Sequence, residues 1–281
     1  MASVPVDSAP PREATTPPGE SGVRRRPGLV DEIGELAIFS VRALRALPSS
    51  LRYFSEVMRL NAVITRRTSV LLFVMCGFFS ISLSSFAFFL LRSLGASDFV
   101  GVLPGLMTTR LLAPQMFAWV FAGSVCCAIA AELGSAKIQS EIDAYEVEGV
   151  DPMALLVGTR ILAVLLYVPV ATAVSVAGVL GGAWFVIVVV LQGNSSQQLI
   201  DTYFSIVAAR DLIYGAITIA VTALSLVLVA CFYGLRTGGG PEAVGNTVAR
   251  SLVVNLILLH ILVPVCVLAF YGGALNLPIG D

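Results

Sequence analysis

The chain has 281 residues, of which 57% are hydrophobic and only 12% charged, and its mean hydropathy is +0.90. A water-solvated domain carries about 25% charged residues, so this composition excludes a soluble globule, a disordered chain, a disulfide scaffold and a fibrous repeat, and leaves a polytopic membrane protein. The net charge of −1 identifies no partner, because 10 of the 17 Lys and Arg precede residue 68.

Residues 1–28 hold Pro5, Pro10, Pro11, Pro17, Pro18 and Pro27 among Ser, Thr and Gly, with no apolar run. Such a segment buries too little surface to offset its ordering entropy, so a disordered tail is expected there, and it lacks the apolar stretch of a signal peptide. From 29 to 67 the pattern is amphipathic. Ile33, Leu36, Ala37, Val41, Leu44 and Leu47 recur at helical spacing, with Glu35, Arg42 and Arg45 directed elsewhere. Pro48 and Ser49 interrupt this pattern before Leu51, Phe54, Met58 and Ile64 resume it beside Arg52 and Arg59. An apolar stripe flanked by Arg suits a helix on the membrane surface, and the alternative is a helix packed on protein.

Five uncharged runs follow: 70–91, 111–131, 161–191, 212–235 and 251–280. A span needs about 20 apolar residues, so each run holds one, the fifth leaving a short apolar tail. The third run is long and contains Pro169, Gly178, Gly181 and Gly182, which fits one kinked helix or two short ones. Residues 192–209 lack Lys and Arg, whereas 234–250 contain Arg236 and Arg250. The positive-inside rule then places 234–250 and the basic N-terminal region in the cytoplasm and 192–209 outside. Five spans satisfy this, at about 70–91, 111–131, 155–191, 212–235 and 251–272, with the N-terminus inside and the C-terminus outside. The expected fold is all-α and multi-pass, in the plasma (inner) membrane.

The segment Glu132–Pro152 between spans two and three holds six acidic residues and one basic residue. Ile138, Ile142 and Tyr145 share a helical face, Gly149 is a natural stop, and Pro152 blocks continuation. A short acidic amphipathic helix over about 135–149 is therefore expected. It is either a solvated connector or a docking element for a soluble partner.

Three word-like segments stand out here: Ala131-Glu132-Leu133-Gly134, Glu141-Ile142-Asp143-Ala144-Tyr145-Glu146 and Gly149-Val150-Asp151-Pro152. A fourth runs from Ala230-Cys231-Phe232-Tyr233-Gly234-Leu235-Arg236 into Gly238-Gly239-Gly240-Pro241-Glu242-Ala243-Val244-Gly245. In order and spacing over about residues 50–275 they resemble the MlaE/YrbE permease family, the membrane subunits of MCE-type lipid ABC transporters. The resemblance implies an interfacial N-terminal helix and five spans. It implies that the acidic segment is the coupling helix on an ABC ATPase dimer, which binds ATP and Mg, so that this chain holds no cofactor of its own. It further implies a second permease of the same type, MCE-domain proteins on the outer side and a lipid cargo, with import the expected direction. No nucleic-acid partner is expected. Sixteen Arg against one Lys and the Pro-rich tail look like the actinobacterial branch, which implies two different permeases and a fatty acid, mycolate-like lipid or sterol as cargo. Two departures stand. Many relatives follow the Arg at the start of span two with an acidic residue, whereas Arg110 precedes Leu111; many carry Gly-Arg in mid-span, whereas here Gly123 precedes Ser124. Both losses would fit a heterodimer in which the partner permease supplies the charge.

The expected coupling residues are Glu141, Asp143 and Glu146 for polar docking, Ile138, Ile142 and Tyr145 for apolar seating, and Glu132, Gly149, Asp151 and Pro152 as flanks. A second cytoplasmic turn holds Arg236, Gly239, Gly240 and Glu242, a flexible loop touching the ATPase rather than a nucleotide site. Phe79, Phe86 and Arg110 are candidates for a lipid cavity, although Phe79, Phe86, Phe88 and Phe89 equally suit lipid-facing or helix-packing roles. No P-loop occurs, since the lone Lys137 follows Ala136. His260 stands alone and suits a hydrogen bond to a neighbouring helix better than a metal or proton relay. Cys126-Cys127 are adjacent, and all five Cys lie in apolar runs, so packing is expected rather than a disulfide set. The spans are expected to contain no ionisable side chain but His260, which argues against an ion-coupled carrier and an intramembrane hydrolase. The rival reading is a scaffold that anchors outer lipid-binding proteins without carrying lipid.

Overall fold

The computed structural model describes residues 29–96 and 99–272. The expected disordered tail and the apolar segment after the last span lie outside them. Among the described residues the fold is all-α. We number its helices α1 (Leu29–Ser50), α2 (Phe54–Ser93), α3 (Pro104–Ile138), α4 (Glu141–Val147), α5 (Met153–Val190), α6 (Ser196–Ile206), α7 (Ala209–Leu235) and α8 (Pro241–Tyr271). Five helical stretches are long and apolar enough to cross a membrane: Asp31–Ser93, α3, α5, α7 and α8.

α1 continues through Pro48 to Ser50, and the break comes later, as a single 3-10 turn at Leu51–Tyr53. Ala43 and Ser50 are buried against the chain, while Ile33, Ile38, Val41 and Leu44 stay exposed. α1 thus packs on protein along one face and offers an apolar stripe along another. α2, of 40 residues, is about 60 Å long, twice the hydrocarbon thickness, and so projects beyond the bilayer on the α1 side.

The third run is one helix, α5, which packs along α2 more extensively than any other pair. Small residues permit this. A Cβ on Gly178 would lie 2.7 Å from Phe73 O, and one on Gly182 would overlap Gly77 O. With no apolar driving force between helices in lipid, such close backbone approach and interhelical polar bonds hold them together. The bonds are Ser80 Oγ to Val179 O (2.6 Å), Asn61 Nδ2 to Ala163 O (2.9 Å) and Ser69 Oγ with Tyr167 Oη (3.2 Å). The core is filled by Leu72, Met116, Phe117, Phe121, Tyr167, Ile219 and Leu259, with Phe117 stacked on Phe121 at 5.2 Å.

α3 includes two π-helical stretches, Pro104–Leu112 and Ala122–Cys126. Pro114 has no N–H to return to Arg110 O, and the Ala113 N–H reaches back to Thr108 O instead. The stretch 192–209, expected only as an outer loop, contains α6, capped by Ser195 Oγ accepting from Gln198 N. Its buried residues, Leu199, Tyr203 and Ile206, repeat at helical spacing. Gly101 and Gly105 let it lie across the start of α3, where Thr109 Oγ1 and Tyr203 Oη are 2.7 Å apart.

Two further expectations need correction. The acidic segment is not one helix over 135–149. Residues up to Ile138 belong to α3, Ser140 adopts a left-handed φ of 58°, and α4 covers only Glu141–Val147. The membrane helices also extend past the uncharged runs and take in charge. Arg110 and Asp211 form a 3.1 Å ion pair with side chains 8% and 0% exposed.

Candidate functional site

The chain alternates direction through α2, α3, α5, α7 and α8, so the starts of α2, α5 and α8 share one end with the finishes of α3 and α7. Contacts confirm the grouping. A Cβ on Gly234 of α7 would lie 2.8 Å from Leu133 Cβ of α3, and one on Gly134 would lie 2.9 Å from Thr237 Oγ1. This end gathers Arg52, Arg59, Lys137, Arg160, Arg236 and Arg250, while Arg92, Arg110 and Arg210 stand at the other.

α4 projects from this end between α3 and α5. The αL residue Ser140 turns the chain out of α3, Gly149 at φ +76° ends α4, and Pro152 leads straight into α5. Ile142 is 6% exposed, buried against the chain itself. Ile138 and Tyr145 are half-buried. The expected apolar seating face is thus turned inward, and the large apolar side chain that faces out is Val147, at 89%. Glu141, Asp143, Glu146, Glu148 and Asp151 are exposed. Lys137 Nζ holds Asp143 at 3.0 Å, and Asp151 Oδ1 accepts from Met153 N at 2.9 Å.

Beneath α4 lies a cleft of about 640 Å³ with Glu56, Arg59, Glu132, Glu141, Tyr145 and Arg160 in its wall. Arg160 is fixed there by Leu156 O (2.6 Å) and Glu132 (3.2 Å), and Arg59 by Glu56 (2.8 Å). Arg160 abuts the third apolar run, as Asp211 abuts the fourth. That adjacency was the available signal, and sequence reasoning passed over both.

The second turn lies alongside. Arg236 pairs with Glu35 of α1 and covers the Phe232 ring at 4.2 Å. Gly239 has φ +103°, Gly240 caps α8 ahead of Pro241, and Glu242 is exposed in the first turn. Glu32 of α1 accepts from Tyr233 Oη (2.8 Å) and Arg250 (2.8 Å). At its other end α1 donates Ser50 Oγ to Ala154 O (2.8 Å), just after α4. α1 therefore touches both turns, and neither Glu32 nor Ser50 was singled out in the sequence.

Phe79, Phe86 and Arg110 do not converge on one cavity. Phe79 meets Trp119 edge-on at 6.1 Å, Phe86 points outward at 63% exposure, and Arg110 is held by Asp211 at 3.1 Å. Within this chain Asp211 supplies a counter-charge for Arg110. Trp119 Nε1 donates to His260 Nε2 at 3.3 Å, so the imidazole proton sits on Nδ1, which faces Leu256 O at 2.6 Å. That is the bond to a neighbouring helix expected for His260. The five Cys are free thiols, with Cys76, Cys126 and Cys231 buried.

The family model described as Permease MlaE matches residues 57–269. A probable ABC transporter permease protein of Rickettsia bellii is 28% identical over 83% of this chain and 90% of its own length. One of Synechocystis is 31% identical over 59% of this chain and 63% of its own. The chloroplastic protein trigalactosyldiacylglycerol 1 of Arabidopsis thaliana is 27% identical over 64% of this chain and 51% of its own.

Proposed function

The chain belongs to the MlaE permease family, and we propose that it carries lipid across the inner membrane under the drive of a separate ATPase that docks on α4. An ABC transporter permease requires an ATPase partner, and ATP and Mg would be bound there. The observation that carries the docking reading is the mounting of α4. Ile142 anchors it from below, and its carboxylates face away from the chain together with Ala144 and Val147. A short charged knob between two membrane helices can be pushed without unfolding, and it passes motion to α3 and α5. Coupling then requires only that the ATPase bind α4 differently in its two nucleotide states.

Lipid as cargo rests on the apolar spans and on the name of the Arabidopsis relative. The Arg-rich end is assigned to the cytoplasm by the positive-inside rule, which leaves the end of α8 outside. A second permease would cover apolar surface such as Val265 and Leu268 of α8. MCE-domain proteins on the outer side and import complete the reading and rest on the family resemblance.

The test is reconstitution of the full complex in proteoliposomes with Glu146→Lys and Val147→Asp introduced together. Both side chains are exposed, so the permease should fold normally. A charge reversal plus loss of a central apolar contact costs an interface about 2–5 kcal/mol. ATPase retention and lipid-stimulated ATP hydrolysis should each fall at least tenfold. Unchanged retention and hydrolysis would remove α4 from the drive train.

A further inference from the structure

α1, α7 and α8 enclose an apolar trough of about 820 Å³, walled by Leu36, Val229, Phe232, Val253, Ile257 and Ile261. It opens at the α1 end into a polar pocket of about 360 Å³ that holds Arg236, Asn246, Thr247 and Arg250. Glu32, Phe232, Tyr233 and Arg250 belong to both walls, so the two form one amphipathic cavity.

We propose that this cavity binds one anionic phospholipid from the leaflet on the α1 side, its chain in the trough and its phosphate against Arg250 and Arg236. Two observations select this occupant. The trough runs along α8 from Ala249 to Ile261, about 18 Å, close to the roughly 15 Å of one leaflet's hydrocarbon. The Glu32–Arg250 pair at the mouth is also sorted by depth. Glu32 is tucked in at 16% side-chain exposure, whereas Arg250 stands out at 60%; Arg236, at 49%, sits beside its own partner Glu35, at 44%. A headgroup arriving from the membrane therefore meets the Arg250 guanidinium first, and guanidinium pairs with phosphate through paired N–H donors. The site does not depend on the coupling role of α4.

The test uses the full chain in mild detergent, titrated with phosphatidylglycerol or phosphatidylcholine and followed by native mass spectrometry. Both lipids carry the phosphodiester, but phosphatidylcholine adds a quaternary ammonium that Arg250 and Arg236 repel, so phosphatidylglycerol should bind about tenfold more tightly. Arg250→Gln should abolish that preference, and Arg250→Lys should retain most of it. Ile257→Trp fills the trough and should weaken both lipids about tenfold. Val253→Phe, on the exposed face, serves should the Trp variant not purify. Phe78→Trp, outside the trough, should change nothing. Equal affinity for the two lipids in the unmodified chain, or an unchanged preference in Arg250→Gln, would overturn the proposal. So would efficient disulfide dimerisation of Ile261→Cys in membranes, since a second copy would then fill the trough. No ATPase or transport readout is involved, so failure here leaves the α4 test standing.

Discussion

Replacing Asp211 by Asn is expected to destabilise the protein by about 3–5 kcal/mol, the cost of stranding a buried charge. Asp211 is fully buried, and its Oδ2 accepts both from Arg110 Nη2 at 3.1 Å and from Ala208 N at 2.9 Å. Arg110 also donates to Ile206 O at 3.2 Å and lies 5.0 Å from the centre of the Tyr271 ring. The pair therefore ties α3, α6, α7 and α8 together. Asn keeps the shape and an acceptor for Ala208, so the substitution isolates the charge. At about 2 °C per kcal/mol for a chain of this size, the midpoint should fall by about 6–10 °C. The buried thiols Cys76, Cys126 and Cys231 provide the assay, because a thiol-reactive fluorophore reaches them on unfolding. Arg110→Gln should cost a comparable amount by stranding Asp211. The double variant carries no buried charge and should recover most of the loss, since uncharged replacements of buried pairs are often near neutral. A midpoint for Asp211→Asn within about 1 °C of the unmodified protein, or a strictly additive double variant, would refute the reasoning.

Two further outcomes follow from backbone approach. Gly182→Ala places a methyl group on Gly77 O and must push α2 from α5, at about 1–3 kcal/mol, whereas Gly181→Ala meets nothing nearer than the Phe73 ring at 3.8 Å and should be neutral or gain up to about 1 kcal/mol in helix propensity. The same thermal assay separates them, and equal midpoints would show that the two helices are not in close contact there. Gly158→Ala drives its methyl group into Ser50 Oγ and Cβ, so Ser50→Gly should rescue it. Failure of rescue would mean that α1 does not seat on the start of α5.

The fold was legible where physics is periodic. Uncharged runs of bilayer length located every span, because hydrocarbon tolerates few other segments. Gly178 and Gly182 suggested a kink when taken by themselves. They are instead spaced to let Gly77 and Phe73 approach, which no single-helix pattern reveals. α6 was missed because 192–209 was judged by its lack of Lys and Arg, although Leu199, Tyr203 and Ile206 already marked a helical face. The acidic segment was legible as a helix but not as a broken one, because Ser140 is not a residue type that announces a left-handed φ.

The candidate site was legible in its charges and not in its facing. Ile142 and Tyr145 do turn to one side of α4, with Ile138 left on α3, but an apolar stripe does not say which neighbour it meets. Here the chain's own base takes Ile142 and leaves Val147 for an outside surface. The same limit explains Arg110. Its neutralising group was sought one residue along the chain, yet a buried guanidinium needs a counter-charge within a few ångströms in space, and Asp211 is 101 residues away in sequence. Each member of the pair abuts an uncharged run, Arg110 before Leu111 and Asp211 before Leu212. Opposite charges at the same end of two membrane helices cost less together than apart. Such flanking charges are therefore to be paired across spans before any of them is assigned to a cargo or to a second chain.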